Sequence, residues 1–195
     1  MLSKLINKGT GAGGAKTTHN GLAFEIKTNF EKILLEQKWE KKFLDKTHYY
    51  LELVKNNEFS YWMYQNSFQE FVSKQFKLKK ADIFRRPDEV FIKINEKNIN
   101  IYVIEKKNQN GEGSVEDKLR TGSFIRKEYI KMLAPIKDSN ISVEYGYCVS
   151  KFLYDKYLSK KPKYNIMREI LEEENIPIFY GEDENYFSNI IEWIS

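Results

Sequence analysis

Residues Arg86 to Leu119 read R-P-D-E-V-F-I-K-I-N-E-K-N-I-N-I-Y-V-I-E-K-K-N-Q-N-G-E-G-S-V-E-D-K-L. Val90, Phe91, Ile92 and Ile94 form one apolar run; Ile99, Ile101, Tyr102, Val103 and Ile104 form a second. Both are rich in β-branched and aromatic side chains, which suit a pleated strand, and the polar tetrad Asn95 to Asn98 separates them. The pattern predicts a strand, a hairpin turn and a second strand. Asp88 follows Pro87 at the mouth of the first strand, and Glu105 and Lys107 close the second. Side chains alternate along a strand, so Glu105, Lys107 and Gln109 are expected on one face, with Lys106 and Asn108 on the other.

Two carboxylates on adjacent strand ends, with an ammonium two residues after the second, make a candidate divalent-metal site. Mg²⁺ prefers one or two carboxylates completed by waters and phosphate oxygens. A metal held there lowers the pKa of a bound water and neutralises charge on a phosphate. A neighbouring ammonium orients that water and stabilises the developing charge. Each half of the pattern is common by itself, and a carboxylate at a strand end is most often a solvated charge. Their order, the hairpin between them and the helix signal that follows give the combination its weight. Lys106 has the same charge as Lys107 but faces away, so its loss is expected to change the chemistry only mildly.

The arrangement resembles the PD-(D/E)XK nuclease superfamily, with Pro87-Asp88 as the first half and Glu105-Lys106-Lys107 as the second. Within it, the chain resembles type II restriction endonucleases. G-A-G-G-A-K-T-T-H-N-G-L-A-F-E (Gly11 to Glu25) and the tract from Glu105 to Leu119 extend the likeness over most of the chain. The resemblance implies a mixed α/β (α+β) fold in which a central mixed sheet is flanked by helices around an α-β-β-β-α-β core. It implies Asp88 and Glu105 as metal ligands, Lys107 as the third catalytic residue, and Glu25 and Gln109 as supporting residues. It also implies Mg²⁺, with Mn²⁺ as a substitute, double-stranded DNA as substrate and cleavage leaving a 5′-phosphate. A palindromic site would favour a homodimer, while a chain of 195 residues could also nick as a monomer; a cognate DNA methyltransferase is expected in the same cell.

Composition sets the outer bounds. The chain has 195 residues, 41% hydrophobic and 15% aromatic, enough for one domain with its own core. No apolar run approaches the roughly 20 residues of a membrane span, and the opening M-L-S-K-L-I-N-K-G-T lacks the apolar core of a secretory signal. The single cysteine, Cys148, lies in a predicted strand, so a buried thiol and a reducing cytoplasm are expected. Net charge is +4, but it is unevenly spread. Arg168 to Ser195 holds one Arg against eight Asp or Glu, so it carries −7 and the rest of the chain +11. Lys74, Lys77, Lys79, Lys80, Arg85 and Arg86 lead into Asp88, and Lys151, Lys156, Lys160, Lys161 and Lys163 form a second cluster. Such a body suits a phosphate backbone. The plainer account is a solvated lysine-rich surface.

Five of the ten glycines fall between Gly9 and Gly21, so residues 1–20 are expected to form an arm. Lys16, Thr17, His19 and Asn20 within it, and Arg85, Arg86, Ser114 and Lys118 beyond it, are candidate DNA contacts. Leu22, Ile26, Phe30, Ile33 and Leu34 predict an amphipathic helix over 21–37 with Asn20 as N-cap and Glu25 in its first turn. His48 to Val54 reads as a strand and Tyr64 to Phe76 as a helix. Ser114, with Asp117 as partner, is expected to cap a helix that runs to Pro135 with an interruption at Gly122. A strand over Ser142 to Ser150 follows, then an acidic extension over 164–195 made of a helix, a short strand and a final helix. One domain is expected over 1–195. Neighbouring readings are a structure-selective nuclease and a nucleic-acid-binding domain without catalysis.

Overall fold

The computed structural model describes residues 15–111, 115–137 and 139–195. Its centre is a seven-stranded sheet whose spatial order is the chain order, β1 to β7. The strands are β1 (Glu40–Phe43), β2 (Tyr49–Lys55), β3 (Glu58–Met63), β4 (Glu89–Asn95), β5 (Asn98–Lys107), β6 (Asn140–Val149) and β7 (Ile178–Tyr180). The first five are antiparallel in succession; β6 runs parallel to β5 and β7 parallel to β6. The expected hairpin is β4–β5, with Asn95 opposite Asn98 and Glu89 opposite Ile104. The helices are α1 (Ala15–Lys27), α2 (Glu31–Glu36), α3 (Gln65–Phe76), α4 (Val115–Lys118), α5 (Gly122–Leu133), α6 (Lys151–Tyr157), α7 (Pro162–Glu173) and α8 (Tyr186–Ile194). This is the mixed α/β class with a helix-flanked sheet.

The central strands are apolar on both faces because both are covered. Val90, Ile92, Ile101, Val103, Tyr145 and Tyr147 join one core with Phe68 and Phe71 of α3, Tyr129 and Leu133 of α5, and Met167 and Leu171 of α7. Phe91, Ile104 and Cys148 join the other with Phe24 of α1, Phe30 just ahead of α2, Leu34 of α2, and Tyr186, Ile190 and Ile194 of α8. The α8 residues recur every fourth position, which places them on one stripe. Gly181 sits where α1 meets the end of β7. A Cβ there would lie 2.7 Å from the Phe24 ring and 2.9 Å from Cys148 Sγ, so only glycine allows that approach.

Several expectations change. The helix over 21–37 is two helices. The Thr28 hydroxyl donates to the Phe24 carbonyl at 2.8 Å, and Asn29 Oδ1 accepts the Glu31 N–H at 2.8 Å, so this polar pair ends one helix and starts the next. The arm does not extend to residue 20: α1 is already helical at Ala15, and Asn20 lies inside it rather than capping it. The helix from Ser114 to Pro135 is α4, a tight turn over Leu119–Thr121, and α5. Ser114 itself lies outside the described residues. Strands β1 and β3 and helix α6 were not expected. The expected C-terminal helix, short strand and final helix are α7, β7 and α8; they are integral to the fold, since β7 continues the sheet and α8 closes the second core.

Candidate metal centre

The β4–β5 hairpin brings the motif residues together. The Pro87 carbonyl accepts the Gln65 N–H at 2.8 Å, fixing the chain just before Asp88. Asp88 Oδ2 then accepts the Lys106 main-chain N–H at 2.7 Å, which ties the first half of the motif to the second. Lys107 Nζ donates to Glu105 Oε1 at 2.6 Å, so the predicted pairing of these two side chains on one face holds. Their side chains are only 19% and 22% exposed.

The electrostatics of Glu105 are unfavourable for its charge. Burial pushes its carboxyl above the ordinary range, and repulsion from Asp88 pushes it further; Lys107 and Arg85 pull it back. Glu25 on α1 is raised in the same way, first by burial and then by Asp88, and is pulled down by Lys106 and Lys107. The Asp88 charge therefore raises both glutamates. Beneath Glu105 lies a wall of phenols: Tyr129 and Tyr145 are pushed upward first by burial and then by the Glu105 charge. Tyr147 stands edge-to-face on Tyr145 at 5.1 Å and donates its hydroxyl to the Lys118 carbonyl at 2.9 Å. A dry floor under paired carboxylates strengthens any cation bound above them. Glu25, Asp88 and Lys106 also line an open cleft of about 700 Å³ between α1, α2 and the start of α3.

Asp88, Glu105 and Lys107 thus gather at one end of the hairpin, with Arg85 close enough for its charge to reach Glu105, and Glu25 near enough to feel the Asp88 charge across the cleft they share. Arg85 is not a free surface cation: its guanidinium pairs with Glu128 of α5, which holds the segment before Asp88 against that helix. Arg86 and Lys118 are exposed, as a DNA-contacting role requires. Gln109 does not join the site. The strand ends at Lys107, and Gln109 is clamped elsewhere, its N–H donating to Ser150 Oγ, its carbonyl accepting from that hydroxyl, and its side-chain amide donating to the Gly111 carbonyl. The side chains of Lys16, Thr17, His19 and Asn20 lie outside the described residues. Part of the basic body is engaged internally, as in Lys80–Glu70 and Lys151–Asp155.

The donor set fits a hard cation. It offers carboxylate oxygens, which Mg²⁺ and Mn²⁺ take, and no thiol or imidazole. Among the described residues, the group whose ligand atoms converge within 4.8 Å is a different one, Asp45, His48 and Glu70. Asp45 there is occupied by the Thr47 and His48 N–H groups at 2.8 and 2.9 Å, and Glu70 by Lys80, as in an ordinary polar turn. The looser spread of Glu25, Asp88 and Glu105 suits a cation that keeps several waters.

Sequence reasoning missed what lies on the opposite face. Lys106 does point away from Lys107, as alternation required, but into the protein rather than into solvent. Its side chain is 3% exposed, and its ammonium lies 3.2 Å from Glu89 Oε1 and donates to the Glu25 carbonyl at 3.2 Å. Glu89 is 1% exposed; its Oε1 also accepts the Phe30 N–H at 3.1 Å. Glu89 Oε2 is buried with no hydrogen-bond partner among the described residues. A signal existed. Glu89 alternates with Phe91, and Lys106 with Ile104, on a strand pair that is apolar on both faces, so each charge needed a buried partner.

Comparison of the chain with models of known protein families, with curated proteins and with solved structures finds no match. Among the described residues, no helix is long and apolar enough to cross a membrane.

Proposed function

We propose that the chain is a Mg²⁺-dependent endonuclease for double-stranded DNA, of the type II restriction kind. One observation carries this: Glu105, desolvated and facing the Asp88 carboxylate, is held on the same strand face as Lys107 at 2.6 Å. A site that confines negative charge in poor solvent and sets a cation beside it favours a divalent ion and a phosphate oxygen over an empty state. Asp88, Glu105 and Glu25 would hold the ion, which when bound supplies charge neutralisation at the phosphate and a more acidic water. Lys107 holds Glu105 in place and presents its remaining protons to an attacking water on the same face. Arg86, Lys118 and their basic neighbours would track the backbone. The antiparallel β3–β4–β5 run, followed by α5 and a parallel β6, is the observation from the fold that supports this reading. A homodimer, a partner methyltransferase and a cytoplasmic location belong to the same proposal.

The test is incubation of plasmid and phage DNA with the protein in Mg²⁺ or in EDTA, with run-off sequencing of the products. Discrete Mg²⁺-dependent cuts at one duplex sequence support the proposal. Cleavage confined to branched DNA replaces it with a structure-selective nuclease. Duplex binding with no cleavage in Mg²⁺ or Mn²⁺ replaces it with a binding domain.

A further inference from the structure

Lys106 occupies the variable place of the motif, where nothing in the proposed chemistry needs a charge. Its placement is nevertheless tightly determined. The main-chain N–H at this residue holds Asp88 on one face of the sheet. Its side chain passes to the other face and donates to the carbonyl of Glu25 in α1 while lying 3.2 Å from Glu89 Oε1. The same Glu89 oxygen accepts the N–H of Phe30 just ahead of α2. One buried ammonium therefore joins β4, β5 and α1, and through Glu89 the entry to α2. A buried ion pair is seldom more stabilising than apolar residues of similar size, and its best attested use is to fix register. Here the element it registers is the helix that carries Glu25. Leu22 and Ile26, on either side of Glu25, are 57% and 67% exposed. Apolar packing thus holds this end of α1 weakly, apart from Phe24, so a polar contact is what sets its position.

We infer that the buried Lys106–Glu89 pair is a positioning device that registers α1 against the hairpin and so sets the Glu25 carboxylate at the rim of the cleft it shares with Asp88. The inference rests on the nuclease proposal for the meaning of that placement. Lys106 touches neither metal nor DNA. It acts through the Glu25 main chain.

The test is a double-mutant cycle read first by Mn²⁺ affinity, using calorimetry on the full chain, and then by single-turnover cleavage. Lys106→Met with Glu89→Gln removes the clamp while leaving no unpaired buried charge and nearly the same volume. Mn²⁺ binding should weaken severalfold and cleavage should slow about tenfold, the scale for a supporting residue around a metal. DNA affinity in Ca²⁺ should hold. Glu25→Gln alone should cause a similar loss, and the triple variant should be no worse than Glu25→Gln. Losses that multiply in the triple variant, or wild-type Mn²⁺ affinity in the clamp variant, overturn the inference. If the clamp variant does not fold, Glu89→Gln alone serves, with a smaller loss that again vanishes in the Glu25→Gln background; a loss that persists there overturns it equally. Wild-type protein that neither binds Mn²⁺ nor cuts DNA removes the nuclease proposal instead, and this role with it.

Discussion

Lys106 and Lys107 are neighbours in the chain with identical side chains, yet they occupy opposite worlds. Lys107 is partly exposed and pairs with Glu105, a carboxylate that burial and Asp88 disfavour in its charged form. Lys106 is sealed beneath α1 with Glu89. The pleat makes the difference: one residue of register separates a lysine at the candidate site from one inside the protein. Charge and sequence position alone therefore say little about a lysine, whereas the face it is sent to says a great deal.

The comparison can be broken most directly at the carboxylate. Glu105→Ala should abolish Mg²⁺-dependent cleavage while the protein stays folded, since removing a desolvated carboxylate relieves repulsion with Asp88; full activity in the folded variant would refute the site. Next comes Lys106→Ala. It leaves Glu89 buried and unpaired, so it should cost about 3–5 kcal/mol in denaturant unfolding. That corrects the mild effect alternation alone suggested, which concerned only the chemistry. Lys107→Ala should reverse the pattern, with single-turnover cleavage down about a hundredfold and a smaller loss of stability than Lys106→Ala, because Glu105 keeps the Arg85 charge and is less deeply buried than Glu89. Equal losses of stability at the two lysines would erase the contrast.

A smaller effect should appear with pH. Burial raises Glu89 from 4.5 to about 7, against the pull of Lys106. Between those values the folded chain keeps a proton that the unfolded chain has lost, so this residue's contribution to stability is full below 4.5 and declines as pH rises through 7. Glu89→Gln lacks that titration. In EDTA, the melting temperature of the wild type relative to Glu89→Gln should fall across this window, and a constant difference would contradict the burial of its charge. Smallest of all is Lys118→Ala, an exposed position, which should weaken DNA binding slightly and reduce its salt dependence by about one phosphate contact.

The hairpin was legible because Val, Ile, Phe and Tyr alternate on either side of a polar turn, and with it came Asp88, Glu105 and Lys107. The β2–β3 hairpin was as local but was missed, although Asn56 and Asn57 at its turn adopt the left-handed conformation (φ 51° and 63°) that asparagine tolerates. Strand β1 is Glu-Lys-Lys-Phe, an edge strand whose charges hide it from any apolar pattern. Glu25 was singled out through its motif, not its contacts. Gln109 was misplaced because alternation was carried past the end of the strand, where Ser150 takes over the backbone. The Glu89–Lys106 pair lies within the β4–β5 hairpin itself and was missed because neither charge, on a face flanked by Phe91 and Ile104, was assigned a buried partner.

The clamp also has a history in time. Asp88 and the Lys106 N–H lie 18 residues apart and meet when one hairpin closes. Lys106 Nζ and the Glu25 carbonyl lie 81 apart, and closing that longer loop costs about 1.3 kcal/mol more in chain entropy. The hairpin carboxylates should therefore assemble first, with α1 docking onto them afterwards. During refolding, pulse-labelled amides of β4 and β5 should gain protection before those of α1, and for that interval the chain would present a two-carboxylate site still waiting for its third.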